Sequence, residues 1–177
     1  VDTPAALVGL DLGTSAVRAA LWRSGRLAAQ SRREIELHFP GPHRVEQDPR
    51  AILDACTACL EEACDVLRPG ENAALGIAHQ RSTVVLWDAE SGAPFGPALS
   101  WRDARATEQA SQLAARVKDV ASRTGLPASP HYGAPKIAWA LEHWPAARKA
   151  ADSGRLRCGT LGTWLCWKLT RGESFAV

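Results

Sequence analysis

Residues 5–22 hold two apolar runs, 5–10 and 16–22, the second broken only by Arg18, with Asp11-Leu12-Gly13-Thr14-Ser15 between them. An apolar run, a cluster of turn residues and a second apolar run form two antiparallel strands joined by a tight turn. Ser24-Gly25-Arg26 marks another turn, and residues 27–37 supply the third strand of a meander. Residues 38–49, rich in Pro, Gly and polar side chains, read as a loop. Asp48-Pro49 then starts a helix, with Asp at the N-cap and Pro in the first turn, and Pro69-Gly70 stops it. Residues 73–79 follow that helix and return to the sheet as a parallel strand. Residues 83–87 form a fifth strand closed by Asp88, and Ser91-Gly92 makes the next turn. Beyond Trp101 the character changes. Residues 104–117, 136–144 and 160–169 carry helical periodicity, separated by a loop at 125–135 and by Ser153-Gly154. This order predicts an α/β fold with a mixed five-stranded sheet, flanking helices and a helical extension, and 177 residues suit one domain.

Composition removes several classes of function. Twenty-one Lys+Arg against 19 Asp+Glu leave +2, with the charges mixed along the chain, whereas a nucleic-acid binder concentrates a basic excess on one face. No apolar run approaches the roughly 20 residues of a membrane span. Residues 1–10 show no basic leader or small-residue cleavage site, so a cytoplasmic location is expected. The five cysteines are an odd number, and Cys56, Cys59 and Cys64 share one predicted helix, which argues against a disulfide framework. Cys56 and Cys59 make a C-x-x-C, a potential redox or zinc half-site. They also fall with Ile52, Leu60, Ala63 and Leu67 on one face at helical spacing, which makes them small core hydrophobes.

The chemistry-bearing candidate is the turn at 11–15, with Arg18 three residues further on. Gly13 permits a tight bend, and the backbone N–H groups and hydroxyls of Thr14 and Ser15 can hold phosphate oxygens. Asp11, at a strand end, is placed for a hydrated Mg²⁺, which takes one or two carboxylates plus nucleotide phosphates. Asp, Gly and Ser also dominate turns for conformational reasons alone. No G-x-x-x-x-G-K-[ST] loop occurs, so a nucleotide would need this different device.

The stretch from Val8 to Arg18 resembles the phosphate-binding hairpin that opens actin-like ATPases, in the version used by the FGGY carbohydrate kinases. Further segments follow in that family's order. They are Val45-Glu46-Gln47-Asp48-Pro49, Gly76-Ile77-Ala78-His79-Gln80-Arg81, Trp87-Asp88-Ala89-Glu90-Ser91-Gly92 and Ser100-Trp101-Arg102-Asp103-Ala104-Arg105. Later come Gly125-Leu126-Pro127-Ala128-Ser129-Pro130, Lys136-Ile137-Ala138-Trp139 and Cys158-Gly159-Thr160-Leu161-Gly162-Thr163-Trp164-Leu165. Together they cover nearly the whole chain and resemble most closely the family's glycerol kinases. The resemblance implies a ribonuclease H-like, actin-like ATPase fold that uses ATP and Mg²⁺. It implies that Asp11 helps hold the metal and that Gly13, Thr14, Ser15 and Arg18 serve the phosphates. By the same resemblance Arg81 hydrogen-bonds acceptor hydroxyls and Trp101 forms an aromatic wall for the carbon chain, with Gln80, Ser82, Asp103 and His131 beside them. A surface Arg paired with an acid and a core Trp are the alternatives at those two positions.

Three departures concern the acceptor. Ser82 stands where glycerol kinases carry a glutamate, and His131 stands at the substrate-loop tyrosine, with Tyr132 one place later. Gly162 replaces an acid. A polyol or a ketose is the implied partner, with no nucleic acid and no membrane, and a homo-oligomer is compatible. The resemblance further implies that the chain is a kinase N-terminal domain ending at Phe175-Ala176-Val177 inside a strand. The general base and most of the adenosine pocket then lie in later residues, and residues 1–177 alone are expected to be inactive. The competing class is a non-catalytic kinase-like module that binds or regulates. Another actin-like ATPase, a chaperone or filament protein, is disfavoured by the Gln80-Arg81 and Ser100-Trp101 segments.

Overall fold

The computed structural model describes residues 4–174. In chain order the first elements are β1 (Ala6–Leu12), β2 (Ala16–Arg23), β3 (Arg26–Glu34), β4 (His38–Gly41), β5 (Arg44–Gln47) and helix α1 (Pro49–Cys64). Next come β6 (Ala73–His79), β7 (Val84–Asp88), β8 (Ala98–Leu99), α2 (Thr107–Arg116), α3 (Val120–Thr124) and α4 (Gly133–His143). The last are α5 (Pro145–Asp152), β9 (Leu156–Thr160) and α6 (Leu161–Leu169). The expected final strand at Phe175–Val177 lies outside the described residues. Contacts divide the chain into two units, one of residues 1–37 and 50–80, the other of 38–49 and 81–177.

The first unit is a mixed sheet in the order β3-β2-β1-β6, antiparallel except for the β1–β6 pair. Alternation decides its faces. Ala6, Val8, Leu10 and Leu12 on β1 are buried, as are Val17, Ala19 and Leu21 on β2. Helix α1 covers this side: Ile52, Cys56, Cys59 and Ala63 are all buried, and the Cys59 thiol lies 3.7 Å from the Val17 carbonyl. Burial pushes the Cys56 thiol up to about 12. The C-x-x-C thus sits in the core, as its helical spacing predicts. The helix ends at Cys64, before Pro69-Gly70. Arg23, in a two-point pair with Glu71 at 2.6 and 2.7 Å, and Glu62, shared by Ser31 and Arg33, fasten the connections.

The second unit holds an antiparallel sheet in the order β4-β5-β8-β7-β9. This corrects the expectation of one mixed five-stranded sheet: the mixed sheet has four strands, and the run at 83–87 joins the second sheet instead. As β7 it is an interior strand there and buried at every position, so its residues could not show the period of a half-exposed strand. The expected loop at 38–49 holds β4 and β5. Its Pro40 and glycine concealed an exposed edge hairpin, where a missing N–H is tolerated. Helices α4, α5 and the strands β7 and β8 enclose a core of Val84, Leu86, Leu99, Trp139, Ala140 and Ala147.

Asp88 closes β7 and accepts from the Ser91 and Glu90 N–H groups at 2.9 and 3.0 Å and from Arg155 at 2.5 Å. The Ser91 N–H and the Arg155 guanidinium hold its carboxyl down at about 2, against an ordinary 3.8. The unfolded chain therefore takes up this proton first, so the stabilisation is present above about pH 4 and is lost as pH falls through 2. Thermal melts between pH 5 and pH 2 are expected to show a steeper acid limb for the wild type than for Asp88→Asn. Equal slopes would dismiss the effect.

Candidate functional site

The candidate residues lie in both units. In the first unit the β1–β2 turn is held tightly: the Gly13 N–H donates to the Ala16 carbonyl at 3.0 Å, and the Ser15 carbonyl accepts from Ile35 at 3.1 Å. A Cβ on Gly13 would stand 3.0 Å from that same Ala16 oxygen, so a side chain here would crowd the turn's backbone. Gln80 completes the turn. Its backbone N–H donates to the Leu12 carbonyl at 2.8 Å and its side-chain amide to the Gly13 carbonyl at 3.3 Å, so it braces the β1–β2 turn. Asp11 and Arg18 are register partners across the hairpin, 3.4 Å apart and each 53% exposed. Their pair is screened by water and worth little. They stand at the edge of an open trough of about 850 Å³ along the sheet face, floored by Gly9, Ala20, Gly76 and Ala78. Thr14 is half-buried and Ser15 exposed at the tip.

In the second unit Arg81 is exposed and pairs with no acid among the described residues, which removes one alternative for it. Trp101 is 44% exposed, which removes the other: it is not a core tryptophan. The Trp101 N–H donates to the Thr83 hydroxyl at 3.0 Å, and His131 Nδ1 lies 3.2 Å from the Trp101 carbonyl, an arrangement that puts the ring proton on Nδ1. Ser82 has φ +62°, a left-handed conformation that is uncommon for a residue with a Cβ and turns its carbonyl inward. Asp103 sits differently from the expected acceptor-binding role. It is wholly buried, accepting from the Val45 N–H at 2.7 Å and from Arg105 at 2.7 to 3.0 Å. It braces β5 and shows no oxygen to solvent. Arg105, itself nearly buried, bridges on to Glu46 at 2.7 Å and lies over the Trp139 ring.

What unites this group is Lys136, whose position in the sequence does not by itself point to a role. It is fully buried on α4, and its ammonium donates to the carbonyls of Ser100 at 2.6 Å, His131 at 2.8 Å and Ser82 at 3.0 Å. Burial pushes the amine down to about 8, partly offset by Asp103, so at neutral pH it is mostly the cation with three N–H groups for three acceptors. A signal was present: Lys136 shares a helical face with Trp139 and Ala140, and a lysine among core positions is rarely idle.

The sequence pattern of the FGGY family of carbohydrate kinases, N-terminal domain, matches residues 6–177. The chain belongs to the FGGY family of carbohydrate kinases. It is 40% identical over 174 residues to a glycerol kinase of Ralstonia nicotianae, covering 94% of this chain and 34% of that one. It is 38% identical over 176 residues to a glycerol kinase of Symbiobacterium thermophilum, covering 97% and 35%. The chain therefore spans about a third of the length of these relatives. Among solved structures it superposes on Plasmodium falciparum glycerol kinase, crystallised with ADP, with a TM-score of 0.83 at 25% identity, covering 97% of this chain and 36% of that one. Xylulose kinase from Rhodospirillum rubrum, at 24% identity and TM-score 0.78, covers 92% and 33% and shares the fold.

For an FGGY chain the departure at Gly162 proves mild locally. Helix α6 keeps an N-cap, since the Thr160 hydroxyl accepts from the Thr163 N–H at 3.3 Å. Ser82 and His131, the other two departures, both lie on the loops that Lys136 holds. No helix among the described residues is long and apolar enough to cross a membrane.

Proposed function

We propose that these residues are the N-terminal part of an ATP-dependent polyol or sugar kinase, and that they supply a phosphate-binding hairpin and one wall of the acceptor site. The observation that carries this reading is the convergence on Lys136 of three loops bearing Arg81-Ser82, Trp101 and His131. An unpaired guanidinium offers a rigid fork of donors for adjacent hydroxyls, an exposed indole offers an apolar surface for C–H groups, and a His presents its second nitrogen. That set suits a small polyhydroxylated acceptor.

On the phosphate side, Asp11 fits a hydrated Mg²⁺: it is accessible and carries one carboxylate at a strand end, while Arg18 beside it adds positive charge for phosphates. Mg²⁺ bound there would neutralise charge on the ATP phosphates as the γ-phosphoryl passes to the acceptor hydroxyl. Thr14 and Ser15 offer hydroxyls at the tip of the same turn. The glycerol, pentitol or pentulose choice rests on Ser82, a shorter and uncharged side chain where glycerol kinases carry a glutamate, and on His131, which stands at the substrate-loop tyrosine.

Transfer of labelled phosphate from Mg-ATP to a panel of glycerol, pentitols and pentuloses tests this in the full-length protein. Turnover on one member is expected, reduced by roughly 100-fold or more in Asp11→Asn. Residues 1–177 alone are expected to give none. A full-length protein silent on the whole panel would favour the binding-module class instead.

A further inference from the structure

We propose that Lys136 is a positioning residue for the acceptor site: its buried ammonium sets the spacing of the Arg81-Ser82 corner, the Ser100-Trp101 corner and the His131 loop, and thereby sets affinity for the acceptor. The inference rests on the acceptor-site reading above. A charge taken out of water is costly unless its hydrogen bonds are complete, and an apolar side chain of similar volume stabilises a core as well or better. Lysine at this position is therefore poorly explained by packing alone. The geometry explains it. The ammonium has three N–H groups, and they reach three carbonyls from three segments distant in sequence, at Ser82, Ser100 and His131. Each carbonyl belongs to, or directly adjoins, a residue assigned to acceptor binding. The charges that face it are Asp103, which favours the ammonium, and Arg105, which opposes it. Asp103 is locked in its ion pair with Arg105, so its oxygens do not compete for the three N–H groups. The left-handed Ser82 adds a second sign of constraint, because its strained backbone is what aims that carbonyl at Lys136.

The test uses Lys136→Met, which keeps the volume and removes the donors. Amide exchange of the 177-residue chain is expected to rise by about 10-fold or more in residues 81–83, 100–102 and 129–132, with the β1–β2 hairpin unchanged. In the full-length protein the acceptor KM is expected to rise roughly 10- to 100-fold, with kcat and the KM for ATP within about 2-fold. A uniform rise in exchange, no rise in those three segments, or a fall in kcat at constant KM would each overturn the proposal. Should the variant not fold, the wild type still decides. A Lys136 ammonium held by three carbonyls gives a persistent ¹⁵N signal in water at neutral pH, and exchange as fast as that of the surface Lys118 overturns it. If the full-length protein proves no kinase, the function proposed above fails, while the exchange and ammonium measurements continue to judge the positioning role.

Discussion

Asp103→Ala is expected to lower the free energy of unfolding by about 3–5 kcal/mol, because it leaves the buried Arg105 charge with one carboxylate where it had two and strips the Val45 N–H of its acceptor. The Asp103 carboxylate is wholly buried, and Arg105 is only 4% exposed. With Asp103 gone, the Arg105 guanidinium keeps Glu46 and its place over Trp139 but loses the partner that holds it at two oxygens. The Val45 N–H loses its acceptor at the same time, which loosens β5 where it pairs with β8. Domains of this size are stable by about 5–15 kcal/mol, so the variant is expected to lose a large fraction of the stability. Urea denaturation followed by tryptophan fluorescence measures the change. Asp103→Asn retains an acceptor for Val45 without the charge and should fall between the two. A loss below 1 kcal/mol in the alanine variant would mean that Arg105 reaches water, contrary to its burial.

Trp164→Ala is expected to cost a similar amount, about 3–5 kcal/mol, through the cavity left by a large buried ring. Trp164 is 1% exposed on α6, and its indole N–H donates to the Gly92 carbonyl at 3.4 Å. Gly92 is itself fixed by sterics. It has φ +66°, and a Cβ there would stand 2.3 Å from the Trp167 ring. Trp164→Phe, which keeps a ring and loses the N–H bond, should recover most of the stability. The check is a lowered denaturation midpoint at unchanged slope; a changed slope would mean that the variant alters more than stability, and an unchanged midpoint would dismiss the cavity.

The hairpin, the helix at Pro49 and the core role of the paired cysteines were legible because each follows from local chemistry. Alternation along 6–12 and 16–23, a proline at the first helical position and a period near 3.6 are properties of adjacent residues. The edge hairpin β4–β5, the strand β9 and the helix α5 were missed for the opposite reason. His38–Gly41 and Leu156–Thr160 carry no strong alternation, and both gain strand geometry from the partners they lie against. At the site, the types of residue were readable and their duties were not. Gln80 and Asp103 belong to segments that resemble a substrate pocket, yet one braces the Gly13 turn and the other braces β5. Lys136 was passed over because its three partners lie 5, 36 and 54 residues away.

By itself the amino-acid order determined the family, the α/β class and the opening strand-turn-strand, since these rest on short-range pattern and on an ordered series of motifs spread over the chain. Only the tertiary structure decided that the strands split into two sheets, that Asp103 is a strut, and that Lys136 holds the loops of Ser82, Ser100 and His131. Those facts depend on which distant carbonyls and charges meet in the interior, where a buried donor must find an acceptor and a buried charge its partner.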